Sequence, residues 1–128
     1  MSKSIPKIKA PKGFSFKVKK MSANYTRVTL HLAKGKQIGY VNLSRVRPGF
    51  YATHSGLDVK YHNKGLGVLL YARAIQYALE KGWRVSSSGG SSESAQRVWR
   101  GKTIRKYFSI KLKKGYQPYD DKWYAYAK

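Results

Sequence analysis

Residues 58–67 read Asp-Val-Lys-Tyr-His-Asn-Lys-Gly-Leu-Gly, between an apolar strand-like run and a strong helix pattern. The two glycines let the backbone turn tightly, and the free N–H groups of the following helix's first turn point at whatever lies there. The helix dipole adds partial positive charge at that end, and Lys60 and Lys64 add full charges. The stretch therefore predicts a strand–loop–helix unit with a site for a phosphate group.

The composition is strongly basic. Lys and Arg number 27 against five acidic residues, which gives a formal charge of +22 in 128 residues. Such a charge favours nucleic acid, acidic proteins or phosphorylated ligands as partners. Mechanisms that need a pair of carboxylates have few residues to draw on. The chain has no cysteine and three scattered histidines, so we expect no disulfide, no thiolate zinc site and no other metal site.

The order of elements along the chain predicts one α+β domain. Residues 1–13 read as a basic N-terminal arm, and residues 14–128 as the domain. Period-two patterns predict four sequential strands in an antiparallel meander, followed by a helix that ends at Gly82, a short strand, a second helix to about Lys106, and two last strands. The order is β-β-β-β-α-β-α-β-β with a mixed sheet and two main helices. No run resembles a signal peptide or a membrane span, so we expect a soluble, cytoplasmic protein.

The loop matches neither common nucleotide-binding signature. The P-loop spacing G-x-x-x-x-G-K-[ST] is absent, and Leu70 stands where a Rossmann fingerprint needs its third glycine. Residues 62–67, His-Asn-Lys-Gly-Leu-Gly, instead resemble the [R/Q]-x-x-G-x-[G/A] signature of the GNAT superfamily of acyl-CoA-dependent N-acetyltransferases. Residues 57–61, 69–82, 85–88 and 92–99 resemble that family's fourth strand, third helix, fifth strand and fourth helix. The resemblance covers about residues 36–108.

The resemblance implies a fold and a cofactor. Acetyl-CoA would lie in a V-shaped opening between the fourth and fifth strands, its pantetheine arm along the fourth strand. The positions implied to bind it are Leu57, Val59, His62, Asn63, Lys64, Gly65, Gly67, Val68 and Ser92. His62 stands where Arg or Gln is usual, so the fixed charge of that position is lost. The stretch between the first two strands, residues 20–24, is too short for the two helices usual there, which implies an open acceptor side.

Two residues are candidates for proton transfer in such a reaction. His54 lies in the fourth strand, where the family often places a general base, and histidine changes charge near neutral pH. Strand alternation puts it on the opposite face from Leu57, and an ordinary half-buried histidine is the alternative. Trp99 occupies the position of the family's tyrosine acid, and indole is no practical acid. Tyr107 is the candidate replacement, with a core or edge aromatic as the alternative.

Two functions follow from these observations. The first is an N-acetyltransferase that moves an acetyl group from acetyl-CoA to a primary amine, on a macromolecular acceptor because the acceptor side is open. The second is a catalytically reduced GNAT-like protein that binds nucleic acid or an acidic partner through its +22 surface. Basic residues interleave with aromatic ones in residues 3–20 and 97–114, a pattern that suits nucleic acid. The compact size resembles small phage-encoded members, which would place the protein in the host cytoplasm.

Overall fold

A computed structural model describes residues 5–61, 64–87, 93–115 and 122–128. Seven strands form one sheet in the order β1-β2-β3-β4-β5-β7-β6. Their bounds are β1 (Phe14–Ser22), β2 (Tyr25–Leu32), β3 (Gln37–Arg47), β4 (Phe50–Leu57), β5 (Arg84–Ser87), β6 (Ser109–Lys113) and β7 (Lys122–Tyr126). The three described α-helices are α1 (Leu66–Glu80), α2 (Glu93–Arg100) and α3 (Lys102–Tyr107). The predicted α+β class with a mixed sheet is confirmed.

The first four strands form the expected antiparallel meander. β1 and β2 are joined by the two residues Ala23 and Asn24, so no helix separates them. β4 ends at Leu57, and a short 3₁₀ helix follows at Val59–Tyr61. β5 pairs with β4 in parallel, as the helix between the two strands predicts.

Helix α1 ends in the way its sequence predicts. Gly82 has φ 76°, and its N–H donates to the Leu79 carbonyl oxygen at 3.0 Å. The Trp83 N–H donates to the Ala78 carbonyl oxygen at 2.9 Å, which completes a Schellman motif. A residue with a Cβ atom would be strained at this φ. The glycine therefore fixes where the chain leaves α1 and turns into β5.

The second predicted helix is two helices, and the prediction of one continuous helix to about Lys106 is wrong. Gly101 has extended backbone angles, φ −73° and ψ 160°, and separates α2 from α3. Its N–H donates to the Val98 carbonyl oxygen at 3.2 Å, which closes the last turn of α2. Glycine is a poor helix former, since it has more backbone freedom to lose than other residues, and this favours the break.

Side-chain alternation gives the sheet two faces. On the helix face, β2 and β3 bury Val28, Leu30, Val41 and Leu43, and α1 packs against both strands. Helices α2 and α3 pack against α1, so all three lie on this side. We call the other side the open face, because no described helix covers it. None of the described helices is long and apolar enough to cross a bilayer.

Part of the N-terminal segment also packs on the helix face. Ile8 is buried, and its N–H donates to Oε1 of Gln76 in α1 at 2.9 Å. Phe14, at the start of β1, meets the ring of Tyr61 edge-on with centroids 6.4 Å apart. These contacts hold residues 8–14 against the helical side of the domain and leave the open face clear of them.

Candidate functional site

In the described residues the parallel ladder between β4 and β5 reaches the pair Thr53↔Ser87, and β4 continues to Leu57 in pairing with β3. The Thr53 hydroxyl donates to the Ser86 carbonyl oxygen at 3.2 Å, which joins the two strands. The opening that the sequence motifs imply between the strands would lie beyond this pair, and residues 88–92 are outside the described part of the chain.

The backbone of β4 turns its polar groups alternately to β3 and to the opening. The Asp58 N–H donates to the Ile38 carbonyl oxygen at 2.9 Å, directly across from it. In an antiparallel ladder such hydrogen-bonded pairs alternate with non-bonded ones. The peptide groups of Ser55 and Leu57 are therefore directed away from β3, towards the β5 side of the strand.

Helix α1 begins directly after the loop that follows β4. Gly65 is its N-cap, with φ 76° and ψ 0°, and no side chain caps the helix. The Leu69 N–H donates to the Gly65 carbonyl oxygen at 3.3 Å. The earlier amides, of Leu66, Gly67 and Val68, precede the first intrahelical acceptor. The first turn holds no acidic residue, so the positive end of the helix dipole is not neutralised there.

The residues implied to hold the cofactor occupy different parts of this site. Leu57 ends β4 and lies near Gly67, since a Cβ placed on Gly67 would be 3.8 Å from its Cδ2. Val59 is in the 3₁₀ helix, Val68 is half-buried in α1, and Lys64 is exposed beside Gly65. His62, Asn63 and Ser92 lie outside the described residues. The roles of all these positions stay predictions.

His54 is the first residue of β4 beyond the last β4–β5 pair. It is exposed and lies opposite Asn42 of β3 on the open face. Its neighbours Thr53 and Ser55 point to the helix face, because successive side chains of a strand alternate. The opening thus has His54 on one side and the hydroxyl-bearing residues on the other, as strand alternation predicts.

Comparison with solved structures identifies the architecture. A spermidine N-acetyltransferase SpeG chimera from Vibrio cholerae and hSSAT has a TM-score of 0.60 at 13% identity, over 81% of this chain and 66% of that chain. A GNAT-superfamily phosphinothricin acetyltransferase from Sinorhizobium meliloti, in complex with AcCoA, has a TM-score of 0.58 at 17% identity, over 79% and 59%. The PaiA N-acetyltransferase of Thermoplasma acidophilum, in complex with coenzyme A, has 0.54 at 15%, over 82% and 62%.

The chain has the GNAT fold. It spans less than two thirds of the length of each of these three structures. No protein-family model and no curated protein matches the sequence. The architecture therefore rests on structural likeness alone, and the opening between β4 and β5 corresponds to the one that the sequence motifs imply for a GNAT fold.

A pair of hydroxyl groups that the sequence analysis did not combine lies at the opening. The Tyr71 hydroxyl of α1 and the Ser55 hydroxyl of β4 are 2.6 Å apart. Burial raises the pKa of Tyr71 above its ordinary value, and hydrogen bonds from Ser55 and Thr53 oppose this in part. The phenol therefore stays protonated well above neutral pH. No sequence signal distinguished Tyr71 from the other residues on the inner side of α1.

Trp99, at the position where GNAT proteins often carry a tyrosine, packs edge-on against Tyr71 with centroids 6.0 Å apart. The indole is fully buried, and within the described residues its Nε1 has no hydrogen-bond partner. Tyr107 is half-buried at the end of α3, which packs against α1 and β6. The proton-donor role of Tyr107 stays a prediction.

Proposed function

We propose that this GNAT-fold protein binds acetyl-CoA between β4 and β5 and transfers its acetyl group to a primary amine. The observation that carries the proposal is the start of α1, which follows β4 along the chain, has the N-cap Gly65 without a side-chain cap, and holds no acidic residue in its first turn. Two solved structures of similar fold contain acetyl-CoA or coenzyme A, which supports the choice of cofactor.

The residues at the start of α1 fit a pyrophosphate. The amides of Leu66, Gly67 and Val68 offer hydrogen-bond donors without a side-chain cap to compete for them. Gly67 leaves the space beside it open, since a Cβ there would have Leu57 as its only neighbour within 4 Å. Lys60 and Lys64 are exposed nearby and add positive charge, which supports the pyrophosphate site although His62 replaces the usual Arg or Gln.

The peptide group of Ser55, which is directed away from β3, suits the extended pantetheine arm, because an arm with amide groups can add to the edge of β4 as a strand would. When bound, acetyl-CoA supplies an acetyl group activated as a thioester. The protein's own part is to align the thioester with the acceptor and to move protons.

The acceptor would approach from the open face. An amine must lose a proton as it is acylated, and His54 is exposed on this face at the first position beyond the last β4–β5 pair. We assign it as the general base. On the helix side, the Ser55–Tyr71 pair offers a hydroxyl donor that stays protonated at neutral pH. Because no helix joins β1 to β2, the open face admits an amine carried on a macromolecule.

The test is calorimetric titration of acetyl-CoA into the wild-type protein and the Gly67→Glu variant. We expect micromolar binding to the wild type, on the order of −8 kcal/mol, and none to the variant, because a carboxylate at this position repels and blocks a pyrophosphate. Thr103→Glu is a matched control, since Thr103 is the second residue of α3 as Gly67 is of α1.

Neither substitution should destabilise its helix, because an acidic residue is favourable near a helix N-terminus. The control is expected to bind acetyl-CoA as the wild type does. Equal binding by Gly67→Glu and wild type would refute the pyrophosphate site at the start of α1. A wild-type protein that binds no acetyl-CoA would refute the proposed function as a whole.

A further inference from the structure

The open face of the sheet is cationic. The strand cations on this face that are exposed or half-buried come from five of the seven described strands, and none of these strands contains an acidic residue. These cations are Lys17, Lys19, Arg27, Arg84, Lys111, Lys113 and Lys122. Such a surface attracts polyanions, because the strands offer positive charge and no negative charge.

A row of small side chains crosses this face. Ser44, Ala52 and Ser86 are paired directly with one another across β3, β4 and β5. The row continues to Tyr25 of β2 at one end and Tyr124 of β7 at the other. We call this row, Tyr25–Ser44–Ala52–Ser86–Tyr124, the cross-strand trough. Ala52 and Ser86 are only 9% and 8% exposed although no described helix covers them.

The two walls of the trough carry the charge. One wall is the neighbouring row Lys19–Arg27–Asn42–His54, paired across β1 to β4. The other is formed by Arg47, Phe50 and Arg84, with the guanidinium carbons 4.0 and 5.2 Å from the Phe50 ring centroid. Rows on one face of a sheet are about 6.6 Å apart, so the walls are roughly 13 Å apart at the backbone. This width admits a single extended chain.

Arg27 is held in place before any ligand arrives. Its Nε donates to Asn42 Oδ1 at 2.9 Å and its Nη2 to the Tyr25 hydroxyl at 3.0 Å. Its guanidinium carbon lies 4.9 Å from the Tyr40 ring centroid. These contacts engage one face of the guanidinium and its Nε and Nη2 donors. A fixed guanidinium of this kind is suited to a phosphate oxygen.

The aromatic rings at the trough favour a nucleic acid over an acidic protein as the ligand. An acidic protein would need the cations alone. The trough also has a half-buried tyrosine at each end and the Phe50 ring in one wall, and planar guanidinium groups lie against the rings. Unpaired bases stack on both aromatic and guanidinium planes, and phosphates pair with the cations between them. The combination favours a ligand that has both phosphates and planar bases.

We propose that the open face binds single-stranded nucleic acid, which lies along the cross-strand trough with its phosphates on the walls and bases on Tyr25 and Tyr124. This site is separate from the proposed acetyl-CoA site at the start of α1. The proposal of nucleic-acid binding therefore does not depend on acetyl transfer. His54 belongs to one wall and is also the assigned base, and it is therefore left unchanged in the test.

The experiment measures fluorescence anisotropy of labelled U20 and dT20 oligomers over a range of salt concentrations, without acetyl-CoA. The test variant is Lys19→Gln/Arg84→Gln/Lys111→Gln on the open face. The matched control is Lys102→Gln/Arg105→Gln/Lys106→Gln, on exposed positions of α3. Both remove two lysines and one arginine, so each lowers the formal charge by the same amount. The two oligomers distinguish RNA from DNA as the preferred strand.

The open-face variant is expected to lose roughly 100-fold in affinity at 0.1 M salt, and its slope of log K against log salt to fall in magnitude by about 2, because each single-strand phosphate contact contributes about 0.7. The control should keep most of the wild-type affinity and slope. Equal losses in the two variants would indicate uniform electrostatic attraction and overturn the trough. Failure of the wild type to bind either oligomer at low salt would overturn it as well.

A second variant tests the rings. Tyr124→Leu is expected to weaken binding about tenfold with the salt slope unchanged, because it removes a stacking surface and no phosphate contact. If Tyr124→Leu binds as the wild type does and polyglutamate displaces both oligomers, the open face is a site for an acidic protein and the proposal is wrong. Photo-crosslinking of a 4-thiouridine oligomer to the wild type checks the location without any substitution, and crosslinks confined to α2 and α3 would overturn it.

Discussion

On β2, Val28 and Leu30 are completely buried under α1, while Arg27, next to Val28, and Tyr25, two residues further towards the N-terminus, lie half-exposed on the open face. The two sets of side chains belong to one strand and point to opposite sides of the sheet. The helix face holds the apolar core, and the open face holds rings, hydroxyls and cations. The two faces of one sheet therefore differ in what they can contribute, packing on one side and polar or charged contacts on the other.

Stability should depend on the two faces very unequally. Trp99→Ala on the helix side is expected to lower the free energy of unfolding by about 3–5 kcal/mol, because the indole is fully buried against the core. Lys17→Ala on the open face should change it by less than about 0.5 kcal/mol, because the side chain is exposed. Urea unfolding followed by circular dichroism measures both. A loss at Lys17 comparable to that at Trp99 would show that the open face is covered and structural.

Catalytic turnover should also depend on the open face, where His54 lies. His54→Gln is expected to lower turnover of acetyl-CoA roughly 100-fold or more with a polyamine or a lysine peptide as acceptor, because general base catalysis is lost. Calorimetric binding of acetyl-CoA should be unchanged, since His54 points to the other side of β4 from the helix face. Tyr107→Phe is the comparison, and it should alter turnover less than His54→Gln does, because the Ser55–Tyr71 pair offers another hydroxyl donor.

The opposite result for these two variants would contradict the assignment of His54 as the general base. A normal rate in His54→Gln together with a large loss in Tyr107→Phe would place proton transfer near α3 and contradict the assignment of an acceptor side on the open face. Unchanged rates in both variants would show that neither of the two candidate residues carries a proton in the rate-limiting step.

Much of the fold could be predicted, because it is specified by local patterns. Period-two alternation located the strands, and three- and four-residue spacing located α1. Gly65 and Gly82, both at φ 76°, mark the two ends of that helix, and glycine is the residue that adopts this conformation without strain. The parallel pairing of β5 with β4 followed from the helix between them. These features depend on neighbours in sequence.

The remaining features depend on contacts distant in sequence. The Ser55–Tyr71 hydroxyl pair joins residues 16 apart, on different elements, and each is an ordinary residue in its own pattern. The cross-strand trough exists only because the registers of five strands bring Tyr25, Ala52 and Tyr124 into one row. The break at Gly101 was missed because the apolar spacing continues through it to Ile104.

The smallest expected effect concerns Tyr71, the buried hydroxyl on the helix side of the opening. Tyr71→Phe should lower the free energy of unfolding at neutral pH by about 0.5–1.5 kcal/mol, since one hydrogen bond to Ser55 is lost. Because burial raises the pKa of Tyr71 in the folded protein, the unfolded chain releases this proton first as the pH rises above about 10. The wild type therefore loses stability there through Tyr71, and the phenylalanine variant does not.

The stability gap between the wild type and Tyr71→Phe should accordingly be full below about pH 10 and narrow above it. Urea midpoints at pH 7 and at several values above pH 10 measure the gap, with Tyr124→Phe on the open face as the control. A gap that stays constant with pH would mean that the Tyr71 phenol ionises as readily in the folded protein as in the unfolded chain. The hydroxyl would then be accessible to water, and its assignment as a donor that stays protonated at the opening would fail.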